Sequence, residues 1–157
     1  MVSDSSVMIP EPQIQPSMAE IQPDRGVRYI LTQVGEQKLA FPPAWVNEVM
    51  QFEQVRILQL PFYSPTILGV VHHQGEVVPL VSAQAAIFAG QTQYMPETIT
   101  AVRLSQSIGE LAGTGLVVDR VLGSVSAEQL SATGTRLIQL QDISSQLWQP
   151  QRWSSQS

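Results

Sequence analysis

The chain has 157 residues, of which 43% are apolar and 13% are charged, a balance typical of one globular domain with a weakly charged surface. The formal net charge is −5, and the basic residues are spread along the sequence. The sequence therefore has no basic run that could neutralise a row of nucleic-acid phosphates or bind an anionic lipid surface. Cysteine is absent, which excludes disulfides and thiolate chemistry and fits a reducing compartment.

Residues 1–26 are predicted to be a disordered tail. Four prolines lie there among serine, glutamine and acidic residues, and the isolated apolar side chains cannot offset the entropy cost of ordering the segment. The alternative is a tail that folds on a partner. This segment lacks the regions of a signal peptide, and no apolar run in the sequence is long enough to cross a bilayer, so we expect a cytoplasmic protein. Residues 27–148 are assigned to one domain and residues 149–157 to a flexible C-terminal tail, with Trp148 packing on the domain.

Short apolar runs recur through the domain, with β-branched residues, period-2 alternation and glycine or proline at their ends, and they predict strands. The predicted strands are Val27–Val34, Lys38–Phe41, Val55–Leu60, Thr66–His72, Glu76–Val81, Thr98–Leu104, Gly115–Val118, Val121–Val125 and Arg136–Leu140. This number of short strands favours a mainly β fold, a small barrel or a pair of barrels, over a parallel α/β sheet.

Few helices are predicted, and all are short. Ala44–Met50 places apolar residues on one side of a possible helical turn. Ser82–Phe88 begins with a candidate N-cap serine, and Ser126–Leu130 has the serine-to-glutamine spacing of a capping box. Asp142 is a candidate cap for the segment that follows it.

The only two histidines, His72 and His73, precede a glycine-marked turn. Neighbouring side chains of a strand point to opposite faces, so these two cannot readily share one metal ion. A zinc site needs further ligands, and Glu76 is the only acidic residue nearby. The favoured interpretation is an ordinary turn or surface role; a pH-sensitive contact surface is the alternative.

No motif predicts catalysis. A nucleophile elbow is absent, and the acidic residues are scattered without an obvious acid–base pair. The glycines Gly109, Gly113 and Gly115 precede an apolar run instead of following a strand and opening a helix, which indicates a hairpin loop and not a phosphate-binding loop. We therefore expect a protein that is not an enzyme and has no cofactor.

Several motifs follow one another in a distinctive order. Tyr29–Ala40 has the apolar–glycine pattern of a first strand, Val46–Val49 reads V-x-E-V, and Gly115–Val121 reads G-L-V-V-D-R-V. The most specific spacing is that of Pro61, Pro65, Ile67, Gly69, Val70, Gly75, Pro79 and Leu80. Over nearly all of residues 27–148 this succession resembles the CheW-like family.

The resemblance implies two intertwined five-stranded β-barrels of SH3-like character that share a hydrophobic core. It also implies a non-enzymatic adaptor in a chemotaxis- or phototaxis-type two-component pathway. The implied partners are the regulatory domain of a CheA-type histidine kinase and the tip of a methyl-accepting chemoreceptor, with no nucleic acid and no membrane insertion. The partner-binding residues suggested by the resemblance are Glu48, Gly69, Val70, Gln74, Gly75 and Val118.

The sequence departs from the family pattern at three places. The family usually has an arginine before the hairpin glycine, paired with the acid matched by Glu48, whereas this chain has Gln74. We expect the ion pair to become at most a neutral–charged hydrogen bond, which changes the receptor-facing surface. Val81–Gln84 replaces a charged D-L-R segment, and only Ser131–Gly134 stand where the family has a longer excursion with an extra strand. One barrel is therefore expected to be trimmed.

The sequence is also compatible with two other functions. One is a module that binds the kinase alone or docks a response regulator, without a receptor. The other, from a different class, is a small β-barrel metal-dependent protein that uses His72 and His73. The weakly charged, glutamine-rich surface and the change at Gln74 also fit a specialised adaptor for gliding or twitching motility.

Overall fold

The structure, a computed structural model, describes residues 27–61, 63–89, 95–132 and 134–143. Both predicted tails, Trp148 and all but Ile143 of the segment that follows the predicted Asp142 cap lie outside these residues. Nine strands and two short helices are described, in the order β1 (Tyr29–Val34), β2 (Gln37–Phe41), β3 (Val46–Glu53), β4 (Ile67–His73), β5 (Glu76–Ser82), α1 (Ala83–Phe88), β6 (Thr98–Leu104), β7 (Gly115–Val118), β8 (Arg120–Val125), α2 (Ala127–Ala132) and β9 (Arg136–Leu137).

The first sheet has four strands in the order β8-β1-β2-β9. Strands β1 and β2 form a hairpin, β8 pairs antiparallel with β1, and β9 adds a short parallel pairing to β2. Among the described residues this sheet has one strand fewer than each barrel implied by the resemblance. The short connection between α2 and β9 leaves little chain for another strand, in line with the trimmed barrel that we expected.

The second sheet has five strands in the order β3-β6-β7-β5-β4, so β3 and β4 are its edges. Residue Leu58, in the segment between β3 and β4, exchanges two backbone hydrogen bonds of 2.8 Å with Val70 of β4. The prediction of a mainly β fold with two small subdomains and few short helices is confirmed, and each subdomain is a curled sheet.

The buried apolar side chains form two clusters, one between the sheets and one inside the five-stranded sheet. The shared core lies between the sheets and includes residues from both and from α1, all removed from water: Val34, Leu39, Phe41, Ile67, Val81, Ala83, Ile87, Val102, Leu104, Leu116 and Val118. The inner core lies inside the five-stranded sheet and consists of Met50, Phe52, Val71, Val78, Leu80, Ile99 and Ala101. Strand β6 contributes alternate residues to both clusters, so it is buried on both faces. Each fully buried leucine or phenylalanine contributes roughly 1.5–3 kcal/mol.

The predicted strand Val55–Leu60 is wrong. Gln54–Arg56 form a 3-10 turn, and only Leu58 pairs with a neighbouring strand through an isolated bridge. The segment crosses from one edge of the sheet to the other, so most of its residues have no strand alongside. Val55, Leu58 and Leu60 are accordingly exposed, with Val55 at 84%, whereas Ile57 is partly buried against the inner core.

The predicted helix Ala44–Met50 is also wrong. A 3-10 turn, Pro43–Trp45, occupies its start, closed by a hydrogen bond of 2.9 Å from the Trp45 amide to the Pro42 carbonyl. From Val46 onward the chain is strand β3, in which alternate residues point inward. The burial of Met50 and Phe52 in the inner core requires period-2 alternation, and this decides against a helix.

The two capping predictions are confirmed. The Ser82 hydroxyl accepts a hydrogen bond from the Ala85 amide at the start of α1. Ahead of α2, the Ser126 hydroxyl accepts from the Gln129 amide and the Gln129 side-chain oxygen accepts from the Ser126 amide, at 3.2 and 2.9 Å. These are the reciprocal contacts of a capping box.

The predicted strand Arg136–Leu140 is shortened to the two residues of β9. Asp142 folds the chain back, because its carboxylate accepts hydrogen bonds from the Gln139 amide at 2.8 Å and from the Arg136 guanidinium at 2.6 Å. A 3-10 turn, Leu140–Asp142, therefore replaces the end of the expected strand.

Candidate functional site

Four polar side chains from four strands meet at one end of the five-stranded sheet. They form the Glu48 cluster, which consists of Glu48 on β3, His73 on β4, Glu76 on β5 and Arg103 on β6. Strand register brings them together, since Glu48 lies opposite Arg103 and His73 lies opposite Glu76. All four belong to the inward-facing rows that continue into the inner core, so the cluster closes that core at one end.

Arg103 is the centre of this cluster. One terminal nitrogen lies 3.5 Å from a Glu48 carboxylate oxygen, and the other donates to Glu76 at 2.5 Å. Its Nε donates to the Gly113 carbonyl at 3.3 Å. A guanidinium presents several N–H donors in one plane, and here they contact the β3 edge, the β4–β5 hairpin and the β6–β7 loop at once.

The second carboxylate oxygen of Glu48 faces the opposite edge of the sheet. Glu48 Oε1 lies 3.2 Å from Nε2 of His73, and this contact joins the edge strands β3 and β4 through side chains. The cluster contains two carboxylates and one guanidinium, so its formal charge is −1 when the imidazole is neutral. Only 11% of the Arg103 side chain is exposed, against 62% of Glu76, so the cation is interior and one acid faces solvent.

The residue at position 74 does not lie where the resemblance places the partner of Glu48. Gln74 and Gly75 form the turn of the β4–β5 hairpin, with φ angles of 52° and 82°, and Glu48 has its contacts with His73 and Arg103. The expected hydrogen bond from Gln74 is thus replaced by an ion pair from β6. Gly75 suits this turn because a left-handed conformation carries no steric cost for glycine.

Gly69 and Val70 lie where the crossing segment meets β4. Gly69 has a φ of 137°, and a Cβ added there would overlap the Leu58 carbonyl oxygen, so only glycine lets the two backbones approach this closely. Val70 is half-buried beside Leu58. Val118 is 4% exposed in the shared core, so its side chain is inside the protein and not on a surface.

The two histidines point to opposite faces of β4, as predicted from strand geometry. His72 is exposed and lies opposite Val77, while His73 faces the Glu48 cluster. Within the described part of the chain, no three His, Cys, Asp or Glu side chains are grouped as metal ligands would be. His73 thus has a defined polar contact, which the interpretation as an ordinary turn residue had not assigned to it.

Apolar residues form most of the outer face of the β4–β5 hairpin, on which His72 is also exposed. Val70 lies opposite Pro79 on this face, Leu58 adjoins Val70, and Val77 continues the surface toward the turn. Leu58 and Val77 are each 55% exposed. We call these four residues, Leu58, Val70, Val77 and Pro79, the outer strip. The outer strip and the Glu48 cluster therefore lie on opposite faces of one hairpin.

Arg103 was not among the predicted site residues. It is 55 positions from Glu48 in the sequence, and the pairing depends on the register between β3 and β6. One signal was present: Arg103 is the only charged residue in the apolar run Thr98–Leu104. An arginine within a buried strand requires an anionic partner.

A comparison with protein-family models matches residues 28–147 to the CheW-like domain. The chain belongs to the CheW-like family. Among solved structures, the scaffolding protein TtCheW from Thermoanaerobacter tengcongensis is similar, with a TM-score of 0.51 and 18% sequence identity. The alignment covers 64% of this chain and 64% of that one, so the chain spans just under two thirds of its length. At this identity the likeness shows the CheW-like fold alone.

A search of curated protein sequences finds no match. Among the described residues of this CheW-like chain, no helix has the length and apolarity needed to span a membrane. The ranges predicted for the CheW-like domain and its tails remain predictions.

Proposed function

We propose that this CheW-like chain is a non-enzymatic cytoplasmic adaptor that couples a chemoreceptor to a CheA-type histidine kinase. The structural observation that supports this proposal is the outer strip. An adaptor needs a surface that another protein can cover, and a contiguous apolar strip with two exposed and two half-buried residues supplies such a surface. Membership of the CheW-like family supports the class of partner. The strip supports an adaptor that acts by binding other proteins through its surface.

The placement of the strip supports a barrel-to-barrel contact. The strip lies on a sheet face next to the edge strand β4, where the crossing segment pairs with β4 only through Leu58. Such a face can pack against another small β-barrel, and the resemblance gives the kinase regulatory domain the same fold. The strip carries no charged side chain, so a partner can cover it without leaving an unpaired buried charge.

The test is binding of the purified chain to the regulatory domain of its CheA-type kinase, measured by calorimetry. We expect Val77→Asp to weaken the dissociation constant at least tenfold, about 1.4 kcal/mol, because it places a charge in the covered surface. The matched control is Leu122→Asp, which puts the same charge on an exposed leucine of the other sheet and should leave binding unchanged. Absence of wild-type binding to the kinase domain would falsify the proposal.

A second candidate is an adaptor that binds the kinase but no receptor. The observation that favours it is Gln74 at the hairpin turn, where the family pattern has an arginine. Co-sedimentation with receptor-tip helical bundles separates the two functions. A coupling adaptor sediments with the bundles in the absence of kinase, whereas the kinase-only module stays in the supernatant.

A further inference from the structure

We propose that Arg103 is a positioning residue for partner binding: it holds the β4–β5 hairpin, through Glu76, in the arrangement that the partner meets. The inference deepens the proposed function and rests on it. No motif of the sequence points to Arg103; its contacts in the structure do.

Arg103 is less exposed than the two carboxylates that it contacts. It lies on β6, which pairs with β3 on one side and β7 on the other, and its side chain is 11% exposed. The Nε contact to the Gly113 carbonyl orients the guanidinium further. A planar donor group held in this way sets the positions of its acceptors.

The two carboxylates held by Arg103 belong to strands that do not adjoin. Glu48 is on β3 and Glu76 is on β5, and β6 and β7 lie between these strands in the sheet. Within the described ranges, Arg103 is the cation that forms an ion pair with both. Loss of this cation leaves two carboxylates at one end of the barrel without the charge that offsets their repulsion.

The hairpin tip connects this contact to the outer strip. Glu76 follows the turn directly and points inward to Arg103, and the next residue, Val77, projects from the outer face. Adjacent residues of a strand move together although their side chains point to opposite faces. Arg103 thus holds the tip from inside while the partner covers it from outside.

The first measurement needs no partner. Hydrogen–deuterium exchange of amides 73–77 is compared in wild type, Arg103→Gln and the control Arg120→Gln. Arg120 is exposed on β8, so the control removes the same charge away from the cluster. We expect exchange at the tip to rise about fivefold in Arg103→Gln and to stay unchanged in the control. Unchanged exchange in both variants overturns the proposal.

The second measurement is the dissociation constant for the kinase regulatory domain, with melting temperatures recorded for each variant. We expect Arg103→Gln and Glu76→Gln each to weaken binding about tenfold. The double variant should bind no more weakly than Arg103→Gln, because the two residues act through one contact. Additive losses would mean that Arg103 acts on binding independently of Glu76 and would contradict the proposal.

A conservative variant covers the case in which Arg103→Gln fails to fold. Arg103→Lys keeps the charge, but one ammonium cannot reproduce the planar set of donors. We expect intermediate exchange at the tip and intermediate binding; exchange and binding equal to wild type overturn the positioning role. If the wild-type chain binds no kinase domain, the proposed function fails, and the exchange comparison alone decides whether Arg103 positions the hairpin.

Discussion

Glu48 and His73 lie 3.2 Å apart across the gap between β3 and β4, the two edges of the five-stranded sheet. The contact forms at the end of the sheet where β4 turns into β5. At a site further along β4, the backbone of the crossing segment pairs with this edge through Leu58. The two edges are thus joined by side chains at one point and by a bridging segment at another.

The first prediction concerns the two adjacent histidines. His73→Ala removes a half-buried contact to Glu48 and should lower the free energy of unfolding by about 1 kcal/mol. His72→Ala removes an exposed side chain from the other face of the same strand and should change it by less than about 0.5 kcal/mol. Urea unfolding followed by tryptophan fluorescence measures both. Equal effects would show that the contact across the gap contributes nothing of its own.

The second prediction concerns two glycines of the same hairpin. Gly69 has a φ of 137° and faces the Leu58 carbonyl, whereas Gly75 has a φ of 82° and no atom within 4 Å of an added Cβ. Gly75→Ala should cost about 1–2 kcal/mol from backbone strain alone. Gly69→Ala adds a steric overlap with backbone and should cost more, or prevent folding. Chemical denaturation ranks the two variants, and a larger loss for Gly75→Ala would contradict this account.

Much of the fold could be predicted because local patterns and tertiary structure agree. The run Thr98–Leu104 was bounded correctly, and the serine caps of α1 and α2 were found. The failures come from segments in which one apolar pattern suits two structures. In Ala44–Met50 a helical turn would group Val46 with Val49, whereas the strand points Val46 and Met50 inward and leaves Val49 exposed. The pairing with the neighbouring β6 decides between them.

The candidate site was only partly predictable, for a different reason. Glu48 and the hairpin glycines follow from local motifs. The partner of Glu48 comes from β6, and the register between β3 and β6 is set by the burial of Met50 and Phe52 against Ala101 and Ile99. A residue pair fixed in this way has no short-range signature in the sequence.

The third prediction tests the shared core. Leu116 on β7 is fully buried there, so Leu116→Ala removes packed apolar surface and leaves a cavity. The expected loss is about 2–5 kcal/mol in the free energy of unfolding. Leu122→Ala, at an exposed position of β8, makes the same chemical change and should cost less than about 1 kcal/mol. Thermal unfolding of both variants checks the difference, and similar losses would place Leu116 outside the core.

The fourth prediction concerns the corner at which the chain passes from the five-stranded sheet to the four-stranded one. Asp119 lies between β7 and β8, its carboxylate accepts from the Gly35 amide at 2.9 Å, and its own amide donates to the Gln33 carbonyl at 2.8 Å. The corner is thereby tied to the β1–β2 hairpin. Asp119→Ala removes the side-chain half of this link and should cost about 1 kcal/mol.

Asp119→Asn is the matched variant, because its amide oxygen can still accept from Gly35. It should keep more than half of the stability that alanine loses, and hydrogen exchange of the Gly35 amide should remain slow in it and become fast in Asp119→Ala. If both variants exchange at the wild-type rate, the β1–β2 turn is held by its packing on α1, where a Cβ at Gly35 would overlap the Gln84 side chain. Joint loss of protection in both would instead show that the negative charge, and not the acceptor alone, holds the turn.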